Sequence, residues 1–241
     1  MRTTSALVCG ALALALMGCG GGGGASHDGN LGFVAEAAAP PAETKSTPVT
    51  SCTVELYGDS IMAANETPET PSMVLQRGLP GWRVVADHSA PGTMLVTLGA
   101  GFAASERVAR YVVIENGVID AWRGVPLDWF LSRYGRMVEQ IRSEGRVPVL
   151  TGFSRQTLGG VLRLEAIARR DIYDAAIKRF ASESNVAFAD WGAVAFEGAS
   201  DLTDFVHPRR SYSDRLVAQL AQTLGALAPD CVEAKGSTSG S

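Results

Sequence analysis

Five short apolar runs, interleaved with segments of helical periodicity, constrain this chain more than any other feature. They are Thr-Val-Glu-Leu-Tyr at 53–57, Trp-Arg-Val-Val-Ala at 82–86, Tyr-Val-Val-Ile-Glu at 111–115, Val-Pro-Val-Leu-Thr at 147–151 and Val-Ala-Phe-Ala-Asp at 186–190. Each has the length and β-branched or aromatic content of a strand. Residues 72–77, 93–110, 127–144 and 164–184 lie between them and read as helices, and 211–227 follows the last run. In 127–144, Trp129, Phe130, Tyr134, Met137, Val138 and Ile141 recur at about 3.6 residues, and Gly145 ends the pattern. Gly99 and Gly101 are expected to break the helix within 93–110. The alternation predicts an α/β fold in three layers, with a five-stranded parallel, flavodoxin-like sheet between helices. Ligands in such sheets bind at the carboxyl ends of the strands.

The chain has 241 residues, 46% of them apolar and 19% charged, which suits one domain with a sizeable core. The formal net charge is −4 and no basic block occurs, so the electrostatic footprint of a nucleic-acid binder is missing. The N-terminus reads as a targeting segment. A short basic stretch, Met1 to Thr4, precedes an apolar run from Ala6 to Met17 that is too short to span a bilayer. It ends in Leu16-Met17-Gly18-Cys19, which resembles a bacterial lipobox. That resemblance implies a signal peptide over 1–18, a lipid on Cys19, and export to the bacterial envelope, with the outer membrane as the expected site. The alternative is an ordinary secretory signal with a chance cysteine. Residues 19–51, rich in Gly, Ala, Pro, Ser and Thr, read as a flexible tether, and 232–241 as a polar tail. The folded domain is therefore expected over 52–231.

Cys9 leaves with the signal and Cys19 takes the lipid, so Cys52 and Cys231 remain, one at each edge of the domain. Export permits a disulfide between them. If the first strand is central and the last helix runs antiparallel to it, both cysteines lie at the same end of the sheet. The alternative is two free buried thiols.

Two segments carry chemistry. Gly58-Asp59-Ser60 ends the first apolar run, and Asp204-Phe205-Val206-His207-Pro208 precedes the last helix. A serine hydroxyl becomes nucleophilic when a positioned base takes its proton. Imidazole suits that task, and a carboxylate fixes its tautomer. Both segments fall on the ligand-binding edge of the expected sheet. The structural alternative makes Ser60 a helix cap, Asp59 a turn former and His207 a capping residue. His88, at the end of the second strand, reads as structural.

In this arrangement the chain resembles the SGNH (GDSL-type) hydrolases over about residues 53–228. The family's first block is matched by Tyr57-Gly58-Asp59-Ser60-Ile61-Met62, its second by the glycine of Ser89-Ala90-Pro91-Gly92-Thr93, and its last by Asp204 and His207. The resemblance implies a serine esterase with Ser60 as nucleophile, His207 as acid and base, and Asp204 as its partner. It implies backbone oxyanion donors at Ser60 and Gly92, and neither a metal nor an organic cofactor. The third block departs from the family's Gly-x-Asn-Asp. Aligning Gly117 and Asp120 with it puts Ile119 where the asparagine belongs, and isoleucine donates no hydrogen bond. Either Asn116 supplies an amide from a remodelled loop, or the oxyanion hole has two backbone donors. The loops at 120–123 and 153–155 are expected to line the cleft, and 63–71 to wall an acyl pocket.

The implied partners are a small ester or acylated glycan and, through the lipid anchor, a membrane; the protein is expected to be a monomer. Two alternatives keep the fold: a catalytically impaired binding or envelope protein, and an O-acyltransferase. A third reading, a dinucleotide fingerprint over Gly99-Ala-Gly101-Phe-Ala-Ala104 with Glu115 as the ribose acid, leaves too few residues for a crossover helix.

Overall fold

The computed structural model describes residues 51–233. The expected signal peptide, Cys19, the expected tether up to residue 50 and the tail from 234 lie outside the described residues.

The chain alternates β1 (Thr53–Gly58), α1 (Ser60–Ala63), α2 (Pro71–Gly78), β2 (Arg83–Asp87), α3 (Leu95–Ala104), β3 (Tyr111–Glu115), α4 (Val118–Arg123), α5 (Leu127–Ser143), β4 (Val147–Thr151), α6 (Leu164–Glu183), β5 (Ala187–Ala189), α7 (Arg210–Leu227) and α8 (Asp230–Glu233). The strands form one parallel sheet in the order β2-β1-β3-β4-β5. The chain leaves β1 toward one edge and returns to its other side at β3. The topological switch therefore falls between these two strands, where Gly58 is registered with Glu115.

Both faces of the central strands are buried, so their side chains alternate between two cores. Val54, Leu56, Val113 and Val149 join the core that α2 and α7 close with Leu75, Leu216, Leu220 and Leu224. Tyr57, Val112, Ile114 and Leu150 face the other, closed by Leu98 and Phe102 of α3, Phe130, Tyr134 and Ile141 of α5, and Ile177 of α6. The stripe expected on α5 is this buried face, apart from Trp129, which is exposed.

Two local expectations are corrected. The helix anticipated over 93–110 ends at Ala104 and runs unbroken through Gly99 and Gly101. Residues beyond it are non-helical and are held in place by side chains. The buried Arg107 guanidinium donates to the Phe102 carbonyl at 2.6 Å and pairs with Glu144, while buried Glu55 accepts the Val108 N–H at 3.1 Å. The glycines of the would-be dinucleotide fingerprint thus lie inside a helix, not in a phosphate-binding loop. The short helices α1 and α4, which the periodicity did not announce, follow β1 and β3 directly.

Cys52, just before β1, is disulfide-bonded to Cys231 in α8, with the Cα atoms 5.6 Å apart. The bond closes a loop with a sequence separation of 179 residues around the whole domain. In the chain-entropy model such a loop confers about 5 kcal/mol, a ceiling that real bridges often miss. Removing it in a Cys52→Ala/Cys231→Ala variant is expected to lower the urea midpoint and to steepen the slope, because the unfolded chain without the crosslink is more expanded. An unchanged midpoint would show that the bridge contributes nothing to stability.

Candidate active site

β1 ends at Gly58, and the chain turns at once into α1. Asp59 caps that helix, its Oδ1 accepting the Ile61 N–H at 2.9 Å. Ser60 is the first residue of the helix, so its own N–H has no intrahelical acceptor. Glycine is required at 58 by close approach. A Cβ there would lie 2.5 Å from the Met62 Cβ and 2.9 Å from both Glu115 Oε2 and Ser89 Oγ.

The other half of the site comes from the long connection after β5, which crosses back over the carboxyl rim. His207 Nε2 lies 2.9 Å from Ser60 Oγ, and His207 Nδ1 lies 2.8 Å from Asp204 Oδ2. Asp204 Oδ1 also accepts the His207 N–H at 2.8 Å, so the carboxylate grips both the ring and the backbone of the same residue. Burial acts to raise the Asp204 pKa, but the His207 backbone and ring hydrogen bonds outweigh it and hold the carboxyl below its usual value. A carboxylate only accepts, so Nδ1 carries the proton and Nε2 offers its lone pair to the serine hydroxyl.

The loop holding this pair is bent out of the ordinary. Phe205 has φ +72°, the left-handed region that an aromatic residue occupies at a cost of about 1–3 kcal/mol. Neighbours hold it there. The Phe205 carbonyl accepts the Thr157 N–H at 3.1 Å, and its ring lies so close over Gly159 that a Cβ at 159 would overlap it. The loop is closed below by Thr203 and Arg209, whose N–H groups donate to His207 and Asp201 carbonyls at 2.9 and 2.7 Å.

Gly92 has φ +75° and an open face, the third residue of an Ala90-Pro91-Gly92-Thr93 turn closed by Thr93 N–H to Ala90 O at 3.3 Å. Ala90 N–H donates to Gly58 O at 3.1 Å, which sets the turn beside the end of β1. Asn116 is buried and donates its side-chain amide to the Thr93 carbonyl at 2.9 Å, tying the end of β3 to the same turn. Ile119 sits in the first turn of α4, partly buried, and offers no donor. Asp120 is fully buried and accepts the Leu95 N–H at 2.9 Å, serving α3 as a cap that its own sequence lacks. His88 stacks on Tyr57 with ring centroids 4.5 Å apart.

The 63–71 loop is fastened to the start of α7. Arg209 pairs with Glu66, and Arg210 reaches Thr67 at 2.8 Å and Glu69 at 2.5 Å. Of the segments expected to line the cleft, Phe153 is core, Trp122 and Arg123 border a groove, and the Arg155 N–H donates to Tyr212 Oη at 2.8 Å.

The sequence matches the model of the GDSL-like Lipase/Acylhydrolase family over residues 56–211. The chain belongs to this family. No match was found among curated protein sequences. Solved structures of similar fold include TesA, with 23% identity and a TM-score of 0.60 over 73% of this chain and 99% of that one. A lipase/acylhydrolase from Enterococcus faecalis shares 18% identity with a TM-score of 0.62, over 73% and 96% of the two chains. An acetylxylan esterase from Geobacillus stearothermophilus, solved as a catalytic mutant, shares 19% identity with a TM-score of 0.57, over 73% and 95%. This GDSL-family chain is thus an ester hydrolase by membership, with an α/β/α fold like theirs.

Beneath the GDSL serine lies a feature the sequence hid. Glu115 closes an otherwise apolar strand and is buried with Asp59, whose N–H it accepts at 3.1 Å. Burial, then the charge of Asp59, pushes the Glu115 carboxyl well above the usual carboxylate range. Burial likewise lifts Asp59, to about 7, although the Ile61 N–H bond and His207 pull it back. The native state therefore holds a proton here that the unfolded chain releases. Between pH about 4 and 7 the native state binds more protons, so stability falls as pH rises through that window. Asp59→Asn keeps the capping oxygen and removes the buried charge. It is expected to raise the melting temperature at pH 8 more than at pH 5, read by calorimetry at both. Equal shifts at the two values would place the titration elsewhere.

Proposed function

We propose that the protein is a serine esterase that works through an acyl-enzyme on Ser60. The observation that carries the reading is the continuous hydrogen-bonded line from Asp204 through His207 to Ser60. In this mechanism Ser60 Oγ attacks the ester carbonyl carbon while its proton passes to His207 Nε2. The imidazolium is stabilised by Asp204. The carbonyl oxygen, now an anion, accepts from the N–H groups of Ser60 and Gly92. Collapse breaks the C–O bond, and His207 gives its proton to the departing alcohol. Water then attacks the acyl-serine, with His207 as base, and releases the acid.

Ile119 decides how fast this runs. Family members use an asparagine amide at the matching position, and a donor aimed at an oxyanion is typically worth about 10²–10³ in kcat. Asn116 serves the Gly92 donor instead, by fixing the Thr93 carbonyl and so the turn that carries Gly92. The assembled serine–histidine contact favours turnover over a purely binding role. Water as acyl acceptor is the simplest reading; an O-acyltransferase would use the same acyl-enzyme with another alcohol. Substrates of the class suggested by the neighbours' names, acyl and acetyl esters, fit a solvent-open triad with Asp204 and His207 side chains 56% and 41% exposed. Anchoring in the bacterial envelope through Cys19 would place the domain among lipid and glycan esters.

Ser60→Ala is expected to abolish hydrolysis of 4-nitrophenyl acetate and labelling by a fluorophosphonate probe. Retained labelling elsewhere, with full activity, would reject Ser60 as nucleophile. Ile119→Asn is expected to raise kcat by about tenfold or more, with KM little changed. A kcat at or below wild type would show that the third donor position is not open to rescue.

A further inference from the structure

We infer that the groove beside Ile119 is a subsite for an anionic group carried by the substrate. The inference rests on the esterase reading of the triad and names the chemical class that reading leaves open. The groove has a volume of about 480 Å³ and runs between α4 and the start of α6. It belongs to the same rim as the triad. One wall starts at Ile119, in the helix that follows β3, and β3 pairs with β1, the strand that leads into Ser60. The other wall starts at Val161, directly after the Gly159-Gly160 pair on which the Phe205 ring of the histidine loop rests.

The groove's floor is apolar and its border is cationic. Ile119, Trp122 and Val161 supply the apolar surface, and Val161 is 82% exposed. Arg123, Arg163 and Arg169 line it against a single acid, Glu165. The whole chain carries a net charge of −4, so this cluster runs against the protein's overall sign. Arg209, Arg210 and Arg215, by contrast, each pair with a carboxylate. Among the described residues Arg123, Arg163 and Arg169 form no ion pair. The donors in this wall also outnumber its acceptors. Arg169 spends one nitrogen on the Trp122 carbonyl at 2.8 Å, while its buried Nε and the buried Trp122 indole nitrogen have no acceptor. Cations without partners and donors without acceptors are complementary to a carboxylate or similar anion, and an apolar floor accommodates the chain that carries it. A neutral acyl chain would satisfy the floor and leave the border unmatched.

The test uses two pairs of esters matched in size and differing in charge, with every rate corrected for the uncatalysed reaction and each preference read as the wild-type ratio against that of the arginine variant. 4-Nitrophenyl hemiglutarate and 4-nitrophenyl glutaramate place a carboxylate or its amide on the acyl side; 4-acetoxybenzoate and 4-acetoxybenzamide place them on the alcohol side. In at least one pair the carboxylate is expected to be preferred by about tenfold in kcat/KM, mainly through KM, with the preference shrinking as salt rises. In the Arg123→Gln/Arg163→Gln double variant, both exposed positions, the ratio is expected to collapse to near one. Equal or faster hydrolysis of the neutral member in both pairs overturns the inference, as does a ratio unchanged in the double variant. If wild type and Ser60→Ala alike hydrolyse none of the four, the esterase reading itself fails and the subsite falls with it.

Discussion

The site depends on how closely three segments of backbone meet at Gly58. The end of β1, the turn after β2 and the end of β3 all press on this one residue, leaving no room for a Cβ among Met62, Ser89 and Glu115. Parallel pairing supplies the geometry: β1 has β2 on one side and β3 on the other, so whatever follows each strand emerges on one rim. From β1 comes Ser60, the proposed nucleophile, at the head of a helix. From β2 comes the Gly92 turn, bonded back to Gly58 through Ala90. From β3 comes Asn116, which fixes that turn in place. A side chain at 58 would push these apart, and oxyanion donors lose most of their worth when displaced by an ångström.

The histidine arrives differently. No strand next to Ser60 carries it. The chain crosses from β5, at the far edge of the sheet, and its loop is fixed at three points. Phe205 rests on Gly159 in a left-handed conformation, Asp204 binds its own loop backbone, and Arg209 and Arg210 tie the following helix to the 63–71 loop. The strain at Phe205 follows from the function. Asp204 and His207 are three residues apart, and both of His207's contacts with Asp204 require the intervening residues to turn back sharply.

Much of this was legible in the residues. The five apolar runs marked all the strands to within a residue or two, because buried parallel strands are apolar on both faces. The three residues of the proposed triad, which the fold brings into hydrogen-bonded contact, stood out because they lie at strand and helix boundaries, where a polar residue has few structural duties. What escaped was set by tertiary contact. Arg107 lies beyond a helix that the local pattern would have continued, held by the Phe102 carbonyl nearby and by the Glu144 carboxylate, which is distant in sequence. Glu115 ended an apolar strand in plain view, but only the fold shows that it is buried against Asp59. The Asn116 amide was expected either at the oxyanion or nowhere, and the fold turns it to Thr93 instead.

Ile119 joins the two readings of the site. In the proposed mechanism, standing where a donor would be, it costs transition-state stabilisation of about 3–4 kcal/mol. As the first residue of the groove it adds apolar surface beside the reacting carbonyl. A charge-assisted contact to an anionic group is worth about 1.5–3 kcal/mol, comparable to the lost donor. The two are not interchangeable. Contacts equal in the ground and transition states lower KM and leave kcat alone, so the groove compensates only for substrates below saturation, or where it orients the ester against Ser60. An enzyme built this way gives up speed on every ester and keeps its efficiency for those that fill the groove. Selectivity then comes from the arginines alone: the missing amide slows every ester by the same factor, which cancels from the ratio of kcat/KM values between two substrates.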